Sequence, residues 1–153
     1  MSGYRVRQEI LETLGHFWTE SYGQIYPTLA RLEAAGLVGR DDDARFTLTD
    51  AGRARLRELL RTPPEPAPPR DGVLLRLFLG RQLGPDDALA LLTHTEQEVR
   101  RRIAALEQIR ATLDPDHPDE RWALLTLDAG LHRGRATLDW ITESRERITS
   151  WTG

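Results

Sequence analysis

The residues best suited to chemistry lie close together near the N-terminus: Ser21, Tyr22, Gln24, Tyr26 and Thr28, with Arg31 one helical turn further on. They offer hydrogen bonding and positive charge, not covalent reactivity. A glutamine amide can make a two-point contact with adenine, and tyrosine or serine hydroxyls can hold phosphate oxygens. Reading a nucleic acid is the chemistry such a set allows, provided it sits at the start of a helix that enters a groove. The same residues also allow a plainer reading. Ser21 followed by Gln24 has the spacing of a capping box, and Tyr26 is large enough to belong to a core. Further on, Arg40 and Arg45 bracket the run Asp41, Asp42, Asp43 and Ala44. They suit either a clamp on phosphates or the neutralisation of the acids between them.

Other chemistries find little support. There is no cysteine, so thiol nucleophiles, disulfides and thiolate metal sites are excluded. His16, His94, His117 and His132 show no metal-ligand spacing. No glycine-rich phosphate loop or nucleophile elbow occurs. An enzyme is therefore not expected, and neither a cofactor nor a metal. Trp18, Trp122, Trp140 and Trp151 could wall a pocket for a flat aromatic molecule, with Trp122 and Trp140 the preferred pair, although aromatic residues more often pack ordinary cores. Arg100, Arg101 and Arg102 point in different directions on a helix and read as a solvated face.

The net charge of -3 argues against bulk basic binding to nucleic acid. All 21 positive side chains are arginine. Nine arginines balance nine acids up to Arg61, while twelve face fifteen beyond it, so the excess of acid lies in the second half. A reader of DNA tolerates this if its arginines gather on one face. No run of apolar residues approaches a membrane span, and the start lacks the apolar core of a signal peptide. A cytoplasmic protein without membrane contact is expected.

The elements that would position these residues follow from periodicity and punctuation. Pro63, Pro64, Pro66, Pro68 and Pro69 rule out a helix or strand and mark an extended connector over residues 62–70. Before it, apolar spacing predicts a helix from Tyr4 to Leu14. A second runs from about Ser21 or Gly23 to Ala35, with Pro27 in its first turns and Gly36 as its stop. Leu37 to Arg40 and Arg45 to Leu48 read as a tight hairpin, and Thr49-Asp50 caps a helix through Leu60. Helix, turn, helix, hairpin, helix is the order of a winged helix-turn-helix without its first helix. After the connector, three helices are expected: a short apolar one over Asp71 to Leu79, a long one from Gly84-Pro85 to about Leu113, and a last one from near Pro118 to Trp151. Leu92, Val99, Leu106 and Leu113 recur every seven residues. Leu124, Leu131 and Leu138 form one further series, and Leu127, Ile141 and Ile148 fall on its partner. Such seams want partners, either each other or a second copy across a dimer axis. The expected fold is mainly α: a winged helix-turn-helix with a short two-stranded wing over residues 1–61, and a helical dimerisation domain over 71–153.

Several of these motifs occur together in one family. Phe17-Trp18, then Ser21, then Gly23-Gln24-Ile25-Tyr26-Pro27, then Leu29-Ala30-Arg31-Leu32-Glu33 and Gly36-Leu37 strongly resemble the PadR family of bacterial transcriptional regulators. Leu48-Thr49-Asp50-Ala51-Gly52-Arg53 resembles the family's opening of the helix after the wing. The proline connector followed by Arg70 to Phe78 resembles members with a large C-terminal domain.

The resemblance implies a homodimeric repressor whose paired winged helices read a palindromic operator of double-stranded DNA. A small effector, often aromatic or amphipathic, would weaken that grip. With the readings of the helix start and the wing above, DNA contact is expected at Ser21, Tyr22, Gln24, Tyr26, Thr28, Arg31, Arg40 and Arg45. From residue type, effector contact is expected at Trp122 and Trp140, and from the heptad seams, dimer contact at Leu124, Leu127, Leu131, Leu138, Ile141 and Ile148. The sequence departs from the family in two ways. Members usually carry an apolar helix before the Gly-Tyr pair found here at Gly3-Tyr4, so either the start is truncated or that helix is missing. The wing is short, and its three aspartates would repel phosphates. These departures favour a competing expectation, a protein that pairs with a related regulator without binding DNA itself.

Overall fold

The structure is a computed structural model that describes residues 2–9, 22–41, 43, 45–65 and 70–151. The chain divides into two compact units, Met1–Ala67 and Pro68–Gly153. Among the described residues, no helix is long and apolar enough to cross a membrane.

The first unit holds helices α1 (Gly3–Glu9), α2 (Tyr22–Ala34) and α3 (Asp50–Arg61), with strands β1 (Val38–Arg40) and β2 (Phe46–Leu48) between the last two. Ser2 caps α1: its hydroxyl accepts the Arg5 N–H at 3.2 Å. The rest of the helix expected to reach Leu14 lies outside the described residues. Along α2, Ile25 and Leu29 are buried, one turn apart, and Val38 of β1 is buried with them. The helix ends where Gly36 takes φ 68°, which a side chain would strain. There the Leu37 N–H bonds the Leu32 carbonyl at 2.9 Å and the Gly36 N–H bonds Glu33 at 2.9 Å, the paired closure of a Schellman turn. Gly36→Ala is therefore expected to cost about 1 kcal/mol in chemical denaturation, entirely through backbone strain, because nothing lies within 4 Å of the added methyl.

The strands pair antiparallel with Val38 opposite Leu48 and Arg40 opposite Phe46. Thr49 then does two jobs. Its hydroxyl donates to the Gly36 carbonyl at 2.7 Å and accepts the Gly52 N–H at 3.0 Å, so one side chain caps α3 and ties it to the end of α2.

The second unit holds α4 (Gly72–Phe78), α5 (Gly80–Leu83), α6 (Pro85–Ala111) and α7 (Glu120–Trp151). Asp71 caps α4 by accepting the N–H groups of Val73 and Leu74 at 2.8 and 3.0 Å. The four-residue α5 was not foreseen. Gly84, at φ 81°, turns the chain from it into α6, which opens with Pro85, Asp86 and Asp87 at the positive end of its dipole.

Helices α6 and α7 form a hairpin with two core clusters, Ala88, Leu92, Ile141 and Ile148 at one end and Leu106, Leu127 and Leu131 at the other. The expectation of a dimer seam must be corrected for Leu127, Leu131, Ile141 and Ile148. All four are buried inside the single chain's hairpin, where α6 already covers them. Leu124 and Leu138 are half-buried. Gly130 and Gly134 allow the close approach: a methyl group on them would stand 2.9 Å from Leu106 Cδ1 and 2.8 Å from Ile103 Cγ1.

A polar clip crosses the same hairpin. Glu96 of α6 accepts from Arg100 one turn on, at 2.8 and 2.9 Å, and from Arg145 of α7. Arg145 also donates to Thr93 Oγ1 at 3.0 Å. The hydrogen bonds from Arg100, then those from Arg145, hold the Glu96 carboxyl below its ordinary pKa. A depressed carboxylate pKa stabilises the fold above the unfolded-state value and loses that contribution as pH falls through the folded-state value. Thermal melts of the wild type and Glu96→Gln should accordingly differ at neutral pH, with the wild type higher, and converge as the pH drops below the ordinary glutamate range.

Candidate nucleic-acid interface

The outer surface of α2 follows from its inner one. At about 100° per residue, burial of Ile25 and Leu29 turns Gly23, Pro27, Ala30 and Ala34 to the opposite side. All four are exposed. That side is nearly free of bulk, so the helix backbone can come close to another surface. Its flanks carry the polar groups. Gln24, Thr28 and Arg31 share one flank, and Arg31 Nη2 donates to Thr28 Oγ1 at 3.0 Å. Tyr26 stands on the other flank, 60% exposed. The alternative reading of Tyr26 as a core residue does not hold, since its side chain is on the surface. The structure thus brings Gln24, Thr28 and Arg31 together and sets Tyr26 apart from them across a small-residue floor. Tyr22 opens the helix, and Ser21 lies outside the described residues, as do His16, Trp18 and the rest of residues 10–21.

The wing resolves the two readings of its arginines differently. Among the described residues, Arg40 has no ion pair with an aspartate of the wing. It reaches back to Glu33 of α2 at 3.2 Å, and its guanidinium lies 4.5 Å from the centre of the Phe46 ring. Arg45 stands 3.8 Å from Asp43, an exposed and loose pair. Both arginines are exposed, and exposed pairs of this kind are weak enough for a phosphate to compete with them. Asp41 has a structural use: its Oδ1 accepts the backbone N–H groups of Arg45 at 2.7 Å and Asp43 at 3.1 Å. An aspartate that closes its own turn is ordinary turn chemistry, so this acid builds the wing tip.

The tryptophan pair must be corrected. Trp122 and Trp140 both lie on α7, eighteen residues and therefore about 27 Å apart along the axis, so one chain cannot place them in one pocket. Trp122 is 64% exposed and borders only a shallow depression beside Arg121 and Leu125. Trp140 is half-buried against the cluster of Ala88, Leu92, Ile141 and Ile148 and lines a larger groove. Sequence reasoning named Trp151 among the possible pocket walls but preferred Trp122, and it passed over Ser144 and Arg147, although Trp140, Ser144, Arg147 and Trp151 recur at three- and four-residue steps.

Comparison with known proteins covers nearly the whole chain. The model of the PadR-like family of transcriptional regulators matches residues 1–58, and that of the virulence activator alpha C-terminal region matches residues 69–149. The chain is 27% identical to a probable transcriptional regulator of Mycobacterium tuberculosis, over 96% of this chain and 89% of that one. It is also 27% identical to the negative transcriptional regulator PadR of Bacillus subtilis, over 92% of this chain and 86% of that one. Crystal structures of the Bacillus protein superpose with TM-scores of 0.84 in complex with p-coumaric acid and 0.82 in complex with operator DNA, covering 97% of this chain in each case and 90% and 91% of theirs. The virulence activator AphA of Vibrio cholerae is similar at a TM-score of 0.81 and 25% identity, over 98% of this chain and 90% of that one.

Proposed function

Because this chain belongs to the PadR-like family of DNA-binding transcriptional regulators and is not an enzyme, we propose that it is a cytoplasmic repressor that holds a palindromic operator as a homodimer and releases it when a small effector binds. The observation that carries this reading is the outer face of α2, where Gly23, Pro27, Ala30 and Ala34 form a floor between Tyr26 and the flank of Gln24, Thr28 and Arg31. A helix with that face can enter a major groove until its backbone nears the base edges. Gln24 then reads a base, Arg31 and Tyr26 hold phosphates on either side, and Arg40 and Arg45 exchange weak protein pairs for phosphates beside the wing. Thr28 belongs to the same flank as Gln24 and Arg31.

Repression is supported by the Bacillus relative, a negative regulator crystallised both with operator DNA and with p-coumaric acid. The homodimer is supported by the apolar outer side of α4. Leu74, Leu75 and Leu79 are more than half exposed and Phe78 is 86% exposed, a density of apolar side chains that a partner has to cover. Half-buried Leu124 and Leu138 support the same reading, an interface on α4 and the exposed side of the hairpin rather than in the hairpin's own core. Light scattering should give twice the chain mass for the wild type and the monomer mass for Phe78→Arg. Footprinting should show two symmetric half-sites a whole number of helical turns apart, at about 34 Å per turn. A wild-type monomer protecting a single half-site would count against the proposal.

A further inference from the structure

Glu33 puts an acid on a flank of the helix that meets DNA. It follows Tyr26 by seven residues on α2, close to two full turns, so the two share one flank of the small-residue floor, about 10 Å apart along the axis. Its carboxylate pairs with Arg40 of β1, Nη2 to Oε2 at 3.2 Å, and the two side chains are 39% and 45% exposed. The Arg40 guanidinium also lies 4.5 Å from the centre of the ring of Phe46, its cross-strand partner. The ring keeps the cation beside α2 without neutralising it; the carboxylate supplies the counter-charge. Arg45 is held differently, within the wing turn, 3.8 Å from Asp43 with both side chains more than half exposed.

We propose that Glu33 is a gate on Arg40: in the free protein it occupies the guanidinium that a DNA phosphate takes in the complex, and so it sets how tightly the chain holds any duplex. The inference rests on the reading of α2 as the helix that enters the groove. Phosphate backbones run along both sides of a helix seated in a major groove, so a carboxylate on a flank of α2 faces phosphate charge. Binding has to part Arg40 from Glu33 and leave that carboxylate beside phosphates with less of its counter-charge. An exposed pair is weak enough to be parted, and the Phe46 ring keeps the cation in place once Glu33 lets go. The cost falls alike on every sequence, because a phosphate contact carries no base information. Base contacts through Gln24 offset it, which a cognate site allows and random sequence does not. Glu33 therefore limits how long the chain is retained on DNA at large.

The test is a double-mutant cycle in the full chain: Glu33→Gln, Arg40→Gln and the two together. Each protein is titrated by fluorescence anisotropy onto the upstream intergenic duplex and onto a scrambled duplex, with helical content checked by circular dichroism. Glu33→Gln keeps the size of an exposed side chain, and Glu33→Ala, a good helix former, serves as the second variant. Removing the carboxylate should tighten both duplexes alike, by about three- to fivefold, and the gain should vanish once Arg40 is replaced. A gain of the same size with and without Arg40 would mean that Glu33 merely repels phosphate at a distance, and would overturn the proposal. Unchanged or weakened binding by both Glu33 variants would overturn it too, since Glu33 would then do nothing or hold Arg40 in the posture that DNA needs. A wild type that binds neither duplex would count against the reading of α2. The gate would then stand only if Glu33→Gln gained binding that Arg40→Gln took away, and would fall otherwise.

Discussion

Gly52→Ala is expected to unfold most of the first unit. A methyl group there would stand 1.9 Å from the Leu37 carbonyl oxygen and 2.9 Å from its carbon. That oxygen cannot simply move, because it accepts the Thr49 N–H at 3.2 Å and lies 3.2 Å from the Thr49 hydroxyl, whose single proton points chiefly to the Gly36 carbonyl at 2.7 Å. Shifting α3 away instead would pull Thr49 from the Gly36 carbonyl and open the junction of α2, the wing and α3. Overpacking against backbone costs about 3 kcal/mol or more. A unit of this size, whose buried hydrophobics are Ile25, Leu29 and Val38 among the described residues, has little stability to spare. Amide exchange should lose protection across residues 22–61. Gly39→Ala is the control: its nearest new contact would be Thr49 Cγ2 at 4.0 Å, so protection should persist.

Combining Gln24→Ala with Arg31→Ala should lower operator affinity by about a hundredfold without changing the melt, since both side chains are exposed. The single variants should fail differently. Gln24→Ala removes a base contact, so it should weaken the cognate site about tenfold and scrambled DNA hardly at all. Arg31→Ala removes a phosphate contact, so it should weaken both and reduce the salt dependence of log K against log salt by about one. If both singles act equally on cognate and scrambled DNA, α2 does not read bases.

The sequence was most legible where punctuation is local. Gly36 stops α2 and Thr49 caps α3 because positive φ and orphan N–H groups demand specific residue types, whatever the surroundings. The seven-residue seams of α6 and α7 were equally visible, yet periodicity says only that a face is apolar and not which surface covers it. Leu127, Leu131, Ile141 and Ile148 were therefore assigned to a second copy when their own hairpin buries them. Arg40 shows the same limit for charge. Its sequence neighbours are aspartates, but hairpin pairing turns it toward Glu33 and Phe46. Trp122 and Trp140 were grouped by residue type, which carries no distance along a helix, whereas the stripe that includes Trp140 and Trp151 could have been found by spacing. The small-residue floor of α2 becomes visible once burial fixes which side of the helix faces inward.

The central claim, sequence-specific DNA binding through α2, is tested most directly by fluorescence anisotropy. The full chain would be titrated onto its own upstream intergenic DNA at several salt concentrations and against scrambled competitor. The account predicts saturable binding that survives the competitor, weakens steeply with salt and is lost in Gln24→Ala with Arg31→Ala. Binding by the folded wild type no tighter than to scrambled DNA would contradict it and point to a protein that acts by pairing with another regulator.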